Sequence, residues 1–186
     1  MNMKIILNIF GVLVGITLAW APARALAYVD WTPDTLLASF FPAPVAVEAV
    51  AFTPDAPTRD ALRETLGYPL PHPTYTIRVG RQAGAVVGYA ILDEQLGQHE
   101  PIDFGVLLGP DGRVARVEVL VYREAYGDGV RGEAFRAQFR GLGLDAPMRP
   151  GRDIRIVSGA TISTRSISVG VRRACALIAA WRGLPA

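Results

Sequence analysis

The sequence predicts an α+β fold, with an antiparallel sheet of hairpins, flanking helices and a long C-terminal helix. Between residues 75 and 122, apolar and polar residues alternate in short segments separated by turn residues, which is typical of neighbouring antiparallel strands. Beyond residue 163 the apolar residues recur at helical spacing up to Trp181. Because the helices lie at the ends of the chain rather than between successive strands, this fold is favoured over a doubly wound parallel sheet.

The first 27 residues have the pattern of an export signal. Lys4 precedes an apolar run from Ile5 to Trp20, and the small-x-small site Ala25–Ala27 follows. This order predicts a secretory signal peptide over residues 1–27. The run is short for a membrane span of about 20 apolar residues, and an uncleaved anchor is the alternative. Either form places the rest of the chain in the periplasm or on the outer face of the cytoplasmic membrane.

Residues 28–74 predict a helical and extended segment before the sheet. Thr32 is a suitable N-cap for a short helix, and the proline-dotted stretch Ala43–Pro57 predicts a strand or an extended connection. A second short helix is predicted after Thr58, with Gly67 as its end.

Four strands, a short helix and a long helix are predicted next. Residues 133–140 predict the short helix because Phe135 and Phe139 fall on one face. A last extended stretch, Asp153–Val157, precedes the long helix Ser163–Trp181. The predicted strands, joined by turn signals rich in Gly and Pro, are Tyr75–Gly80, Ala85–Leu92, Phe104–Leu108 and Val114–Tyr122.

Composition and charge argue against several classes of protein. The chain of 186 residues is 51% hydrophobic, which suits one compact domain once the export signal is removed. Its formal charge of +2, without a dense basic stripe, argues against a nucleic-acid partner. The single cysteine, Cys175, falls on the apolar side of the last helix and is predicted to be a buried core residue. No Cys/His cluster has the spacing of a metal site.

The segment Val157–Gly170 concentrates groups that suit phosphate binding. Its serine and threonine hydroxyls lie at the start of a helix, where free N–H groups and the helix dipole favour an anion. Gly159 permits close approach of a ligand, and Arg155 and Arg165 add positive charge nearby. On spacing alone, an ordinary helix start with serines in its first turn is the simpler interpretation.

The six residues from Ser158 to Ser163 resemble the flavinylation motif of the FMN-binding domain family. That family includes peripheral subunits of the sodium-translocating NADH:quinone reductase and Rnf complexes. The resemblance implies that FMN is the cofactor and that a flavin transferase joins its phosphate to Thr161 outside the cytoplasm. It also implies that the other motif residues shape the phosphate pocket, namely Ser158, Gly159, Ala160, Ile162 and Ser163.

A second segment carries the same resemblance. Tyr122–Gly127 is similar to the family's strand-to-turn segment beside the flavin, which implies that Glu124 and Gly127 contact the cofactor. The similarity extends over residues 75–181, so an FMN-binding domain is expected over residues 75–186.

Arg155 is a departure from the family pattern. It stands where members commonly carry an aspartate shortly before the serine, and Asp153 lies two residues earlier. If residues 153–157 form a strand, Asp153 and Arg155 share one face, and Asp153 can take the acidic role. The departure bears on the covalent bond more than on FMN binding.

The remaining polar and aromatic candidates have simpler interpretations. His72 and His99 lie in loops without ligand partners and are predicted to be surface residues. Among the aromatic residues, Tyr126 has a motif beside it and is the best candidate to stack on a flavin ring. A group of four acidic residues is predicted to form a solvated loop region, namely Asp93, Glu94, Glu100 and Asp103.

Together with the resemblance, the sequence predicts an exported FMN-binding protein that transfers electrons and has no catalytic residues of its own. Its expected partners are the flavin transferase and membrane or exported redox proteins. Two alternatives remain open: a flavin-dependent reductase of a small exported substrate, and a cofactor-free binding module of the same fold. The reductase needs a group placed for proton transfer, and the sequence offers no clear candidate.

Overall fold

The computed structural model describes residues 27–184, so the predicted export signal lies outside the described residues except for Ala27. Within this range, short 3₁₀ turns flank the third helix on both sides. The strands are β1 Tyr28–Val29, β2 Ala46–Phe52, β3 Tyr75–Gln82, β4 Ala85–Leu96, β5 Pro101–Leu108 and β6 Val114–Tyr122. The helices are α1 Pro33–Phe40, α2 Ala56–Leu66, α3 Glu133–Arg136 and α4 Thr161–Trp181.

These strands form one antiparallel sheet in the order β1-β6-β5-β4-β3-β2. Strands β2 to β6 follow one another as a meander, and β1 pairs with the far edge of β6. The β3–β4 hairpin turns at Ala83 and Gly84, whose φ angles of 50° and 81° suit a tight two-residue turn. Both edge strands come from the segment before residue 75, which therefore completes the sheet. The predicted α+β fold is confirmed.

Helices cover both faces of the sheet. Helix α4 packs on one face with α2 beside it, and α1 covers the other face through Leu36 and Phe40. Helix α4 approaches the sheet closely at Gly170, where an added Cβ would overlap the Phe104 ring. Cys175 lies in this core as predicted, and burial raises the pKa of its thiol to about 12. Within residues 27–184, no helix is both long and apolar enough to cross a membrane.

Helix α2 begins earlier than predicted, at Ala56 rather than after Thr58. Its N-cap is Asp55, whose Oδ1 accepts a hydrogen bond from the Thr58 N–H at 2.9 Å. Pro57 lies in the first turn, where its missing N–H group removes no helical hydrogen bond. The extended interpretation of residues 56 and 57 was therefore wrong.

Helix α4 also begins earlier than predicted, at Thr161 rather than Ser163. The stretch before it is not a strand, because Ile154 makes only an isolated bridge with Pro150. The Asp153 carboxylate is paired with Arg149, with Oδ2 and Nε 2.9 Å apart. The strand argument that gave Asp153 the acidic role therefore does not apply.

The acidic residues predicted to form a solvated loop lie mostly on strands. Asp93 and Glu94 are on β4, and Asp103 is on β5 opposite Glu94. The Asp93 side chain is only 5% exposed and pairs with Arg173 of α4 at 2.6 Å. This buried ion pair, with further bonds from Arg173 to Asp93 and the Glu94 carbonyl, fastens α4 to the sheet. The loop interpretation was wrong for these three residues.

Candidate functional site

Three segments of the chain meet at one groove beside the start of α4. The turn between β4 and β5 forms the first wall, the segment after β6 the second, and the start of α4 the third. The groove has a volume of about 420 Å³, within the usual range of small-molecule sites, about 300–1,000 Å³. Its lining residues are Gln98, His99, Glu124, Ala125, Tyr126, Gly159, Ala160, Thr161, Ile162 and Ser163.

The third wall is a helix start without a side-chain cap. The N-cap residue is Ala160, with φ −130° and ψ 35°, and no side chain in the described part of the chain caps this end. The Thr164 N–H donates to the Ala160 carbonyl at 2.8 Å. The N–H groups of residues 161–163 have no intrahelical acceptor, and this end of a helix carries partial positive charge. The wall is therefore suited to binding an anion.

Local contacts hold the loop before α4 in place. Gly159 has a φ of 73°, in the left-handed region that favours glycine. The Val157 N–H donates to Thr164 Oγ1 at 3.3 Å, and the Val157 carbonyl accepts from the Ala160 N–H at 3.0 Å. The Thr164 side chain thus closes the loop, while Thr161 at the first helical position stays exposed.

A buried tyrosine hydroxyl joins the second and third walls. Tyr122 donates to the Tyr126 carbonyl at 2.6 Å, and its oxygen lies 3.0 Å from Ser163 Oγ. Burial raises the pKa of Tyr122 above its ordinary value, so the phenol keeps its one proton. Because that proton goes to the Tyr126 carbonyl, Ser163 is the donor in the second hydrogen bond.

Gly127 lies behind the groove, where the second and third walls are closest. Its φ of 82° is in the left-handed region. An added Cβ would lie 2.9 Å from both the Ala160 Cβ and the Tyr122 hydroxyl oxygen. Glycine is therefore required both for the backbone conformation and for the space between the walls.

Glu124 joins the second wall to the first. Its side chain is buried, and Oε1 accepts hydrogen bonds from the His99 N–H at 2.6 Å and the Glu100 N–H at 3.1 Å. An added Cβ at Gly97 would lie 2.5 Å from the same oxygen. The carboxylate thus fixes the turn between β4 and β5, a role that the sequence did not indicate.

The groove contains six of the eight predicted site residues. Ser158 is exposed just before Gly159 and does not line it, and Gly127 supports it from behind. Sequence reasoning missed Gln98 and His99. The sequence indicates only that these two residues lie in a short turn between two strands. No residue in the turn indicates which helix the turn faces in the fold. The six that line the groove are Glu124, Gly159, Ala160, Thr161, Ile162 and Ser163.

Few charged groups line the groove. Glu124 and His99 are its only acidic and basic lining residues, and Arg155 and Arg165 do not line it. The Arg155 N–H instead donates to Gln138 Oε1 at 2.8 Å. Within residues 27–184, no group of His, Cys, Asp and Glu side chains is arranged to hold a metal ion.

Comparison with known proteins agrees with this geometry. Residues 97–176 match the family model described as FMN-binding domain, and no curated protein matches the chain. The matched range runs from the turn between β4 and β5 into α4, and it includes every residue that lines the groove. Residues 97–176 therefore form an FMN-binding domain, and the cofactor of that domain is FMN.

Proposed function

We propose that the protein is an exported electron carrier whose FMN is joined by a phosphoester to Thr161. The observation that carries the proposal is the start of α4. Thr161 is the first residue of a 21-residue helix without a side-chain cap, and its exposed side chain lines the groove. The bound flavin supplies the redox chemistry, and the protein supplies attachment, orientation and electrostatic environment.

The open helix start fits the phosphate of FMN. The N–H groups of residues 161–163 would donate to the phosphate oxygens, and the helix dipole would favour the negative charge. The Ser163 hydroxyl donates its proton to the Tyr122 oxygen. The backbone N–H of Ser163 would donate to the phosphate. Glycine at position 159 has nothing within 4 Å of an added Cβ, so the space beside it is open to a ligand.

The charge of the groove supports a phosphodiester over a free phosphate monoester. A monoester carries about −1.5 to −2 at neutral pH, and a diester keeps only one ionisable oxygen. The start of a helix supplies the equivalent of about half a positive charge. The groove lining adds the Glu124 carboxylate and no Lys or Arg side chain. Such a site balances the single negative charge of a diester better than the larger charge of a monoester. This supports attachment through Thr161.

Exposed apolar groups at the mouth of the groove support a place for the isoalloxazine ring. The Tyr126 side chain is 85% exposed and Ile162 is 43% exposed, and both line the groove. An aromatic ring and a branched aliphatic chain on two facing walls would cover the two sides of a planar ring. Tyr126 would therefore be the stacking residue.

Export and partners follow from the same proposal. The signal pattern of residues 1–27 supports a position outside the cytoplasm. A covalent link prevents loss of the cofactor where free FMN is scarce. A flavin transferase would attach the FMN, and membrane or exported redox proteins would be the electron donor and acceptor.

Intact mass measurement tests the attachment. The wild type, coexpressed with a flavin transferase, should gain the mass of one FMN less the water lost in ester formation. Thr161→Ala should gain nothing, Thr161→Ser should keep some adduct, and Thr58→Ala in α2 should match the wild type. A wild type without added mass, or an unchanged adduct in Thr161→Ala, would contradict the covalent link.

One observation favours a second candidate, a flavin-dependent reductase. His99 lines the groove, and the two nitrogens of its imidazole ring can donate and accept hydrogen bonds to a substrate. Steady-state turnover of the loaded protein with a defined donor and a small acceptor separates the two functions. Repeated turnover that is lost in His99→Asn would favour the reductase, and single equilibration with a protein partner would favour the carrier.

A further inference from the structure

The two histidines of the chain occupy different surroundings. His72 lies in the loop between α2 and β3, with its ring edge-on to Tyr75 at 5.8 Å between centroids. His99 lies in the turn between β4 and β5 and lines the flavin groove. The position of His99 is fixed, because contacts from the two other walls of the groove hold the turn that carries it.

The first of these contacts is with Glu124. The Oε1 atom accepts from the backbone N–H groups of His99 and Glu100, so the turn is held through its main chain. The second contact is with α4, where Ser166 Oγ donates to the Leu96 carbonyl at 2.6 Å. Neither contact uses the His99 side chain. His99 is exposed, and these two contacts hold the turn without its imidazole.

The groups that face His99 leave it as the only source of positive charge among the lining side chains. The segment after β6 contributes Glu124 and the Tyr126 phenol, and the same turn contributes Glu100 beside His99. The start of α4 contributes no charged side chain to the lining, only the partial charge of its N–H groups. Protonation of the imidazole therefore changes the formal charge of the lining side chains from −1 to zero.

We propose that His99 sets the reduction potential of the bound FMN through the charge of its imidazole. This rests on the proposed function. Two electrons from an external reductant and one proton from water leave the reduced ring one charge more negative than the oxidised ring. A protonated imidazole in the same groove stabilises that added charge. Reduction in turn favours uptake of a second proton from water by His99.

The test compares the equilibrium constant for reduction of bound FMN in four proteins, measured against a redox dye at about pH 5.5 and about pH 8, on either side of the usual histidine range. They are the FMN-loaded wild type, His99→Asn, His99→Lys and the control His72→Asn. At the lower pH, reduction should be favoured about tenfold in the wild type over His99→Asn. Tenfold corresponds to about 30 mV for a two-electron couple. At the higher pH the two should agree.

The other variants separate charge from structure. The lysine of His99→Lys stays positively charged at both pH values. The equilibrium constant for reduction of bound FMN in this variant should therefore match that of the wild type at low pH and be larger than that of the wild type at high pH. His72→Asn should follow the wild type throughout. Urea unfolding of the wild type and the two His99 variants should be alike, since the contacts of the turn use main-chain groups of the turn.

Two results would count against the proposal, and they are distinguishable. Bound FMN with the same potentials in wild type, His99→Asn and His99→Lys would overturn this inference alone. A wild type that binds no FMN would overturn the proposed function and this inference with it.

Discussion

The starts of the three longer helices differ in how their free N–H groups are satisfied. Thr32 caps α1, because its Oγ1 accepts from the Thr35 N–H at 3.2 Å, and Asp55 caps α2 in the same way. Hydrogen bonds from Thr58 lower the pKa of Asp55, so this cap is ionised at neutral pH. Helix α4 is the longest, and its N-cap residue is Ala160. It has neither a side-chain cap nor an acidic residue in its first turn.

The difference between the capped and uncapped helix starts indicates what stabilises each helix and where a ligand is expected. Helix α4 does not depend on a cap, because Ile167, Val171 and Ile178 are fully buried against the sheet. Its start is instead shaped from outside, by Gly127 and Tyr122 of the second wall. Among the three longer helices, the two that only support the fold have side-chain caps, and the one that borders the groove has none. Four substitutions test this contrast.

The largest effect is expected for Gly127→Ala. The left-handed backbone costs a non-glycine residue about 1–2 kcal/mol, and overlap with Ala160 and Tyr122 adds about 1–3 kcal/mol. Urea unfolding of the apoprotein should show this loss, and FMN content should fall as the walls separate. The control is Gly67→Ala, which has φ 83° and nothing within 4 Å of an added Cβ. Equal losses in both variants would mean that the wall contact is unimportant.

A smaller effect is expected for Tyr122→Phe. It leaves the Tyr126 carbonyl and Ser163 Oγ without their shared partner, and an unsatisfied buried polar group costs about 1–3 kcal/mol. The free energy of unfolding should fall by this order, and bound FMN should become less ordered, which fluorescence anisotropy of the flavin measures. Tyr28→Phe is the control, since Tyr28 is half exposed at the sheet edge. Unchanged anisotropy with unchanged stability would show that the hydroxyl does not join the walls.

Thr32→Ala removes the cap of a helix that does not border the groove. Loss of an N-cap costs about 1 kcal/mol, so the midpoint of urea unfolding should fall. FMN content and the flavin spectrum should stay as in the wild type, because α1 lies on the other face of the sheet from α4. A loss of flavin that exceeds the loss of folded protein would show that the α1 cap also affects flavin binding, which would contradict the distinction between the two kinds of helix start.

The smallest change in stability is expected for Thr161→Asp, with the opposite sign. A carboxylate in the first turn stabilises a helix by about 0.3–1 kcal/mol, so the apoprotein should unfold at slightly higher urea concentration. The same charge repels a phosphate, so the apoprotein should bind added free FMN more weakly than the neutral control Thr161→Asn does, since neither variant can form the phosphoester. Equal affinity for free FMN in Thr161→Asp and Thr161→Asn would mean that the start of α4 is not the phosphate site.

Much of the fold was predictable because the signals were local. The alternation of residues 75–122 and the turn residues between the strands specify a meander, and neighbouring strands in a meander pair with each other. The order of the whole sheet was not predictable. The pairing of β1 with β6 joins residues about a hundred positions apart, and no local pattern records it. The early start of α2 was missed because Pro57 was assigned to the proline-dotted extended stretch before it, although the first turn of a helix accepts proline.

The motif predicted the third wall and part of the second, because a contiguous segment keeps its neighbours in the fold. Thr161 and Ala160 were found in this way. The first wall was missed because the turn that carries His99 is held at the groove by hydrogen bonds with Glu124 and Ser166, and these contacts span 25 and 70 positions. Asp93 looked solvated because its partner, Arg173, lies 80 positions away. Contacts between polar groups that are far apart in the sequence produce no periodic pattern of residues from which they could be predicted.

The most direct test of the central claim is to locate the flavin on the chain. Trypsin cleavage after Arg155 and Arg165 releases one peptide, residues 156–165, that holds Thr161 and three other hydroxyl residues. Fragment masses of this peptide from the protein coexpressed with a flavin transferase should place one FMN on Thr161. A flavin on Ser158, Ser163 or Thr164, or a peptide without flavin from a protein that carries it covalently elsewhere, would contradict the account.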